Sequence, residues 1–330
     1  MKVIIPIAGT GLRMRPMTLN VPKCLLPIAG NTIIGHILAK LENMNVSEYI
    51  FVIGYLGEKV ESYIRAEYPN IPAKFVWQKE PQGLGEAIGM CGDFLAEHEP
   101  VLIILGDTLF EADFSSLNAN SGNVLYVREI EDPRRFGVAK VDKSGKVELL
   151  VEKPQEFVSN KALVGIYFIS STAELKKSLN YLISNNIKTR GEYQLTDALE
   201  NMLKCGCEFT TDSIMQWHDC GTPEILLESN RCLLEDVFQS DLEARFPDCK
   251  FEQPCFVGSQ TELSNCSVGP FASIGKNCKI KGTAIENSII SNGCVLSNSS
   301  MRNSILGESS SVNNFSGSLY TGNCCVVNPG

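Results

Sequence analysis

The run GTGLRMRPMTLNVPK, Gly9 to Lys23, sets two glycines, two arginines and a lysine directly after a short β-branched stretch. These residue types suit a polyanion. Glycines let backbone amides approach phosphoryl oxygens, a guanidinium fork matches two such oxygens, and a lysine adds a point charge. Arg13 follows Gly9, Thr10 and Gly11 at a spacing that lets its fork reach an anion in the loop, and Pro16 and Pro22 stiffen the excursion that returns Lys23 toward it. The first 41 residues hold Lys2, Arg13, Arg15, Lys23 and Lys40 and no Asp or Glu, although the whole chain carries a net charge of -9. Such a local basic zone points to a small anionic ligand and not to nucleic acid, which needs an extended basic face.

Two familiar phosphate loops do not fit. The dinucleotide pattern needs a third glycine, but Met14 stands there, and the first acid is Glu42. A P-loop needs Gly-Lys before Ser or Thr, whereas this loop reads Gly11-Leu12-Arg13. A serine or cysteine hydrolase is equally unsupported, since His36, His98 and His218 are the only histidines and none lies in such a motif.

The elements that must position these residues follow from periodicity. Strand-like runs at 2–8, 49–54, 74–78, 101–106, 123–129 and 163–169 alternate with amphipathic runs at 33–44, 57–67, 84–96, 172–185, 194–205 and 223–236, which predicts an α/β layered domain. In open sheets of this kind ligands bind beyond the carboxyl ends of strands, where the Gly9 loop and Gly106-Asp107 both fall. After about residue 250 the texture changes to an apolar residue every five to seven positions among Gly, Asn, Ser and Cys. That rhythm predicts a short left-handed parallel β-helix of four or five coils at about 18 residues per coil. The expected division is a domain over 1–236, a linker over 237–250 and the β-helix over 251–330. Thirteen cysteines without any CxxC are expected to be reduced thiols. No secretion signal or membrane-length apolar run is legible, so a cytoplasmic location is expected.

The string Gly9-Thr10-Gly11-Leu12-Arg13-Met14-Arg15-Pro16-Met17-Thr18, then Pro22-Lys23 and Leu25-Leu26-Pro27, resembles the signature of the sugar-1-phosphate nucleotidyltransferases. The resemblance extends in order through QKEPQGLGEAI (78–88), ILGDTLF (104–110), FGVAKVD (136–142), VEKP (151–154), GEYQLTD (191–197) and WHDCGTPE (217–224). It implies a Rossmann-like, GT-A-like mixed-sheet catalytic domain, and long-form members also carry a C-terminal left-handed β-helix.

The resemblance further implies nucleotidyl transfer, in which a sugar-1-phosphate oxygen attacks the α-phosphorus of a nucleoside triphosphate and pyrophosphate leaves. No base is required, because the attacking phosphate is largely ionised at neutral pH; catalysis is alignment and charge neutralisation. Asp107 and Asp219 match the family's metal positions, for Mg²⁺. By the same resemblance Lys153 holds the sugar phosphate, Glu152 accepts from sugar hydroxyls, Gly137 and Gly165 leave room for the sugar, and Glu192 and Tyr167 wall the pocket. Gln78 and Gly83 belong to the base-recognition strip. A glutamine amide offers one donor and one acceptor to the edge of thymine or uracil, which favours dTTP or UTP. A mannose-1-phosphate guanylyltransferase using GTP and a catalytically silent nucleotide-sugar-binding regulatory subunit are the alternatives. The β-helix is expected to mediate homo-oligomer assembly and not acetyl transfer, since all three histidines precede residue 219.

Overall fold

A computed structural model of the chain describes residues 1–329 apart from 115, 116 and 119. Gly330, the end of the expected β-helix span, lies outside the described residues. The chain divides into two compact units, Met1–Gly9 with Ile37–Trp217 and Thr10–His36 with His218–Gly330.

Among the described residues of the first unit, nine strands form one mixed sheet. They are β1 (Lys2–Pro6), β2 (Glu48–Ile53), β3 (Ala73–Trp77), β4 (Val101–Ile104), β5 (Asn123–Glu129), β6 (Gly137–Val141), β7 (Val147–Glu152), β8 (Lys161–Ile169) and β9 (Phe209–Ser213). The order β7-β6-β8-β4-β1-β2-β3 is extended by β5, which pairs with both β8 and β9. Strand β1 runs parallel to β2 and β4, and β8 runs antiparallel to β4, β5 and β6. A central parallel strand is covered on both faces, so it must be apolar throughout. Accordingly Val3, Ile4 and Ile5 of β1 and all four residues of β4 are fully buried.

Three helices cover one core: α3 (Leu84–Gly89), α4 (Thr172–Ser184) and α5 (Leu195–Lys204), which follow α1 (Ile33–Leu41) and α2 (Gly57–Glu67) in the chain. Leu195, Ala198, Leu199 and Met202 form the buried stripe of α5 at helical spacing. Two expected helices are shorter than their periodic runs. The run 33–44 is helical only to Leu41, and 84–96 stops at Gly89, with a separate turn at Gly92–Phe94 where two weak helix formers interrupt it. Strands β6, β7 and β9 fall outside the six strand-like runs; β9 reads FTTDS, too polar to announce itself.

The second unit holds α6 (Pro223–Leu234) and α7 (Leu242–Arg245), then three parallel sheets of five, four and five short strands wound as a left-handed β-helix. Each sheet stacks one inward apolar column: Leu263, Ile280, Leu296 and Val312; Val268, Ile285 and Met301; Ile274, Ile290 and Leu306. The register pairs Lys250 with Ser267, Ser267 with Ala284, Ala284 with Ser300 and Ser300 with Ser316, so a coil takes 17 residues and then 16. That corrects the expected 18. Corners between the strands are occupied by left-handed residues, Asn265, Asn277, Asn287, Asn298, Asn303 and Asn314, a conformation asparagine tolerates well. Buried cysteines serve other corners: the Sγ of Cys266, Cys278 and Cys294 donate to Ile280 O, Ser291 O and Gly307 O of the following coil at 3.4, 3.2 and 3.3 Å. All thirteen cysteines are free. The stretch 237–250 carries α7, and its Leu242 and Phe246 join the apolar core of the prism.

Candidate active site

In the first unit, β1 ends at Pro6 and the chain runs on to the exposed Gly9, and β4 leads into a tight turn bearing the half-buried Asp107. Gly106 makes that turn possible, since a Cβ there would lie 1.9 Å from Ile7 Cγ2. Gly165, with φ +83°, lets β8 bulge past the same turn, and its own Cβ would meet Leu105 and Thr108 at 2.8 and 3.0 Å. Its visible role is thus to seat the Asp107 turn.

The 78–88 strip, expected to read the base, is clamped onto the GEYQLTD segment. Gly85 N donates to Tyr193 O and Tyr193 N donates to Gln82 O, both at 2.8 Å. Gly83 lies so close that a Cβ would sit 2.4 Å from Tyr193 O and 2.9 Å from Glu192 Cβ, and its φ of +116° suits glycine alone. Gln78 is buried, and its amide nitrogen donates to Gly83 O at 3.3 Å and to the Glu86 carboxylate. Both N–H bonds are therefore engaged within the protein, and the carbonyl oxygen is what Gln78 has left for a base. Glu192 is exposed and accepts from Gln194 Nε2 at 3.1 Å.

The second cluster gathers around Glu152. Its carboxylate accepts from Thr196 Oγ1 at 2.7 Å and pairs with Lys153 Nζ at 3.0 Å. Lys153 itself is held in a left-handed conformation, φ +44°, by its N–H to Phe136 O and by Arg190, which donates to its carbonyl at 2.9 Å. A Cβ on Gly137 would fall 2.9 Å from Glu152 Oε2, so glycine leaves the room in which that carboxylate lies. Burial pushes the Tyr167 phenol up, with the Glu152 charge adding to it, so Tyr167 stays a neutral wall of this cluster. Asp197 is also raised, chiefly by burial; among the described residues neither its Oδ2 nor the buried indole N–H of Trp217, which packs edge-on to Phe136 at 4.9 Å, has a hydrogen-bond partner.

In the second unit, the loop residues converge with the acid far downstream. Thr18 Oγ1 donates to Gly11 O at 2.8 Å, and a Cβ on Gly11 would lie 3.0 Å from Thr18 and 3.4 Å from Lys23, so the excursion returns Lys23 to the glycine turn. Thr10 is half-buried beside it. The Arg13 guanidinium lies over Gly221, where a Cβ would be 2.9 Å from Arg13 Nη2 and 3.3 Å from Asp219 Oδ1. Gly221 thus leaves the space that brings Arg13 beside Asp219. Of the other early bases, Lys2 and Lys40 are tied to Glu48, Glu99 and Glu111.

Thr18, Thr196, Arg190 and Gly221 are partners the sequence reading missed. Thr18, Thr196 and Gly221 stood inside quoted motifs and Arg190 just before one, but nothing in their types marked them.

Comparison with known proteins identifies the family. Residues 2–236 match the family model described as nucleotidyl transferase. The low-salt glycan biosynthesis nucleotidyltransferase Agl11 of Haloferax volcanii is 27% identical over 99% of this chain and 98% of its own length. The bifunctional protein GlmU of Methanocaldococcus jannaschii is 34% identical over 75% of this chain, but the match spans only 58% of GlmU. Among solved structures, a Bacillus anthracis chain assigned as a glucose-1-phosphate thymidylyltransferase superposes with a TM-score of 0.62 at 28% identity, over 74% of this chain and 99% of that one. A UDP-glucose pyrophosphorylase solved with UDP-glucose has the same fold, with a TM-score of 0.63 at 23% identity over 72% of this chain and 99% of that one. The chain belongs to the nucleotidyl transferase family, and it is a nucleotidyltransferase enzyme.

Proposed function

We propose that this enzyme transfers a nucleotidyl group from dTTP or UTP to a sugar-1-phosphate, releasing pyrophosphate. The reading rests on one observation above the others: Gly221 admits the guanidinium of the glycine loop's Arg13 beside Asp219, so that loop and the downstream acid form one charged locus.

In this reading a sugar-1-phosphate oxygen forms the new bond to the α-phosphorus while the bond to the β-phosphate bridging oxygen breaks, and that oxygen leaves with pyrophosphate. Gly9, Thr10 and Gly11 present backbone to the triphosphate, and Arg13 and Lys23 stabilise the charge that builds on the leaving group. Lys153 holds the sugar phosphate, while Glu152, fixed by Thr196, accepts from sugar hydroxyls in the room left by Gly137. Gly165 and Glu192 support the pocket from its edges. Asp107 and Asp219 are hard oxygen donors, and among the described residues no group of three or more His, Cys, Asp or Glu is placed to hold a metal alone. That donor set suits Mg²⁺, which takes one or two carboxylates and completes its shell with water and phosphate oxygens. Bound there, Mg²⁺ would supply charge neutralisation between the two anions.

Gln78 with Gly83 places the base. Its carbonyl would accept the N3–H of thymine or uracil, and the N1–H of guanine would satisfy it equally, so the internal engagement of its N–H bonds keeps a GTP-using guanylyltransferase as the second reading. Both proposed substrates are soluble metabolites, which supports a cytoplasmic enzyme; among the described residues no helix is long and apolar enough to cross a membrane. Assembly into a homo-oligomer through the β-helix stays part of the proposal.

The test is pyrophosphate release with Mg²⁺, each nucleoside triphosphate in turn and a panel of sugar-1-phosphates. Turnover with dTTP or UTP supports the reading; a GTP preference overturns the base assignment; silence across the panel favours a regulatory nucleotide-sugar binder.

A further inference from the structure

The segment that carries Arg13 and Lys23 packs in the same compact unit as the β-helix. After Lys23 the chain forms a hairpin, Pro27–Ile28 with Asn31–Thr32, whose tip Ala29-Gly30 has φ of +44° and +84°. Positive φ at both central positions makes the tightest two-residue turn, and an alanine adopts it against its backbone preference. Something must hold it there.

That group is Asn230 of α6, which is completely buried. Its Oδ1 accepts from Ala29 N at 2.9 Å and from Ser273 Oγ at 2.7 Å, and its Nδ2 donates to Phe271 O at 3.1 Å. One side chain therefore joins the hairpin tip to the second coil of the β-helix. The tip also presses on the first coil, because a Cβ on Gly30 would lie 2.7 Å from Phe256 Cε2. At the other end of the prism, a Cβ on Gly322 would sit 3.1 Å from Pro16 O. Between these anchors a small cavity of about 100 Å³ is lined by Met17, Leu25 and Leu26 on one side and by Asn292, Ile305 and Gly307 on the other. The segment from Pro16 to Gly30 is thus laid along one face of the β-helix from its first coil to its last.

We propose that the β-helix is the splint of the triphosphate segment and that Asn230 is its positioning residue, fixing Lys23 through the hairpin that follows it. The proposal rests on the reading that this segment binds the triphosphate. An amide is suited to the task because it accepts twice and donates once in a buried place where each unmatched group would be costly.

The experiment compares Asn230→Ala, Gly30→Ala, Phe256→Ala and the Gly30→Ala/Phe256→Ala pair in the full chain. It measures KM for each substrate, direct binding of the triphosphate, and thermal unfolding. Asn230→Ala is expected to raise the triphosphate KM about tenfold, the change that a loss of about 1.4 kcal/mol produces, with the sugar-1-phosphate KM unchanged. Gly30→Ala should act in the same direction, and removing the Phe256 ring should restore part of the affinity by admitting the new methyl, the backbone strain at φ +84° remaining. Phe256 points outward from the prism, so its truncation leaves the inner columns intact and keeps the test open if Asn230→Ala does not fold. Folded Asn230→Ala and Gly30→Ala proteins with unaltered triphosphate KM, or an equal rise in both KM values, would overturn the proposal. If the unmodified protein binds and turns over no triphosphate, the functional reading itself fails, an outcome distinct from unaltered variants of an active enzyme.

Discussion

Replacing Thr196 by valine removes one hydroxyl from beneath Glu152 and leaves almost everything else in place. Thr196 is 4% exposed, and its Oγ1 donates to Glu152 Oε2 at 2.7 Å. A hydrogen bond to a charged group contributes about 1.5–3 kcal/mol, and the low end applies here because Lys153 Nζ stays on the other carboxylate oxygen at 3.0 Å. A loss of about 1.5 kcal/mol corresponds to a fall in melting temperature of roughly 3–6 °C for a domain of this size. If Glu152 receives sugar hydroxyls, its loosened carboxylate should raise the sugar-1-phosphate KM about tenfold and leave the triphosphate KM within about twofold. The assay is pyrophosphate release with each substrate varied, in Thr196→Val, Glu152→Gln and the double variant. Because the two side chains act through one bond, the double variant should cost clearly less than the sum of the singles. An unchanged sugar-1-phosphate KM in Thr196→Val, or strict additivity in the cycle, would refute the reasoning.

Lys23→Ala and Asp107→Asn should each fold normally and lower turnover by about a hundredfold or more, as expected for charges acting mainly in the transition state; retained activity removes that residue from the site. Gly83→Ala cannot be relieved by a side-chain movement, since the new Cβ meets backbone at 2.4 Å and the φ is +116°. It should cost about 2–4 kcal/mol, read by denaturant unfolding, and raise the triphosphate KM; a neutral result would show that the strip moves freely. Asp197 titrates above its ordinary 3.8 because burial opposes its charge. A raised acid contributes stability in full below 3.8 and loses it as pH rises through the folded value, so Asp197→Asn should gain on the parent across that window and lose the advantage below it. Melting curves from about pH 3 to pH 8 check this, and a pH-independent difference would contradict it.

Periodicity located the buried elements well because their residues announce themselves. β1, β4 and β8 are apolar runs, and α4 and α5 carry clear stripes. It failed where stability comes from neighbours. Strand β9 is held by its pairing with β5 and not by its own composition, and the run 84–96 lost its second half to Gly89 and Gly92. The charged candidate residues stood out in their motifs, but the residues that aim them did not. Asn230 sits in an ordinary amphipathic helix, and Gly221 looks like any turn glycine until Arg13 is found over it. Gln78 was expected to face the base, yet only the fold reveals that its N–H bonds are already engaged.

Solenoids usually tolerate changes in repeat number, since each coil touches only its neighbours and an added coil preserves every apolar column. This one is under a length constraint. Parallel strands rise about 4.8 Å per layer, so a coil gained or lost between Phe256 and Gly322 would leave the prism content but shift the Pro16 end of the segment by that distance relative to its Gly30 end. The number of coils therefore works as a ruler cut to the span of the loop that it supports.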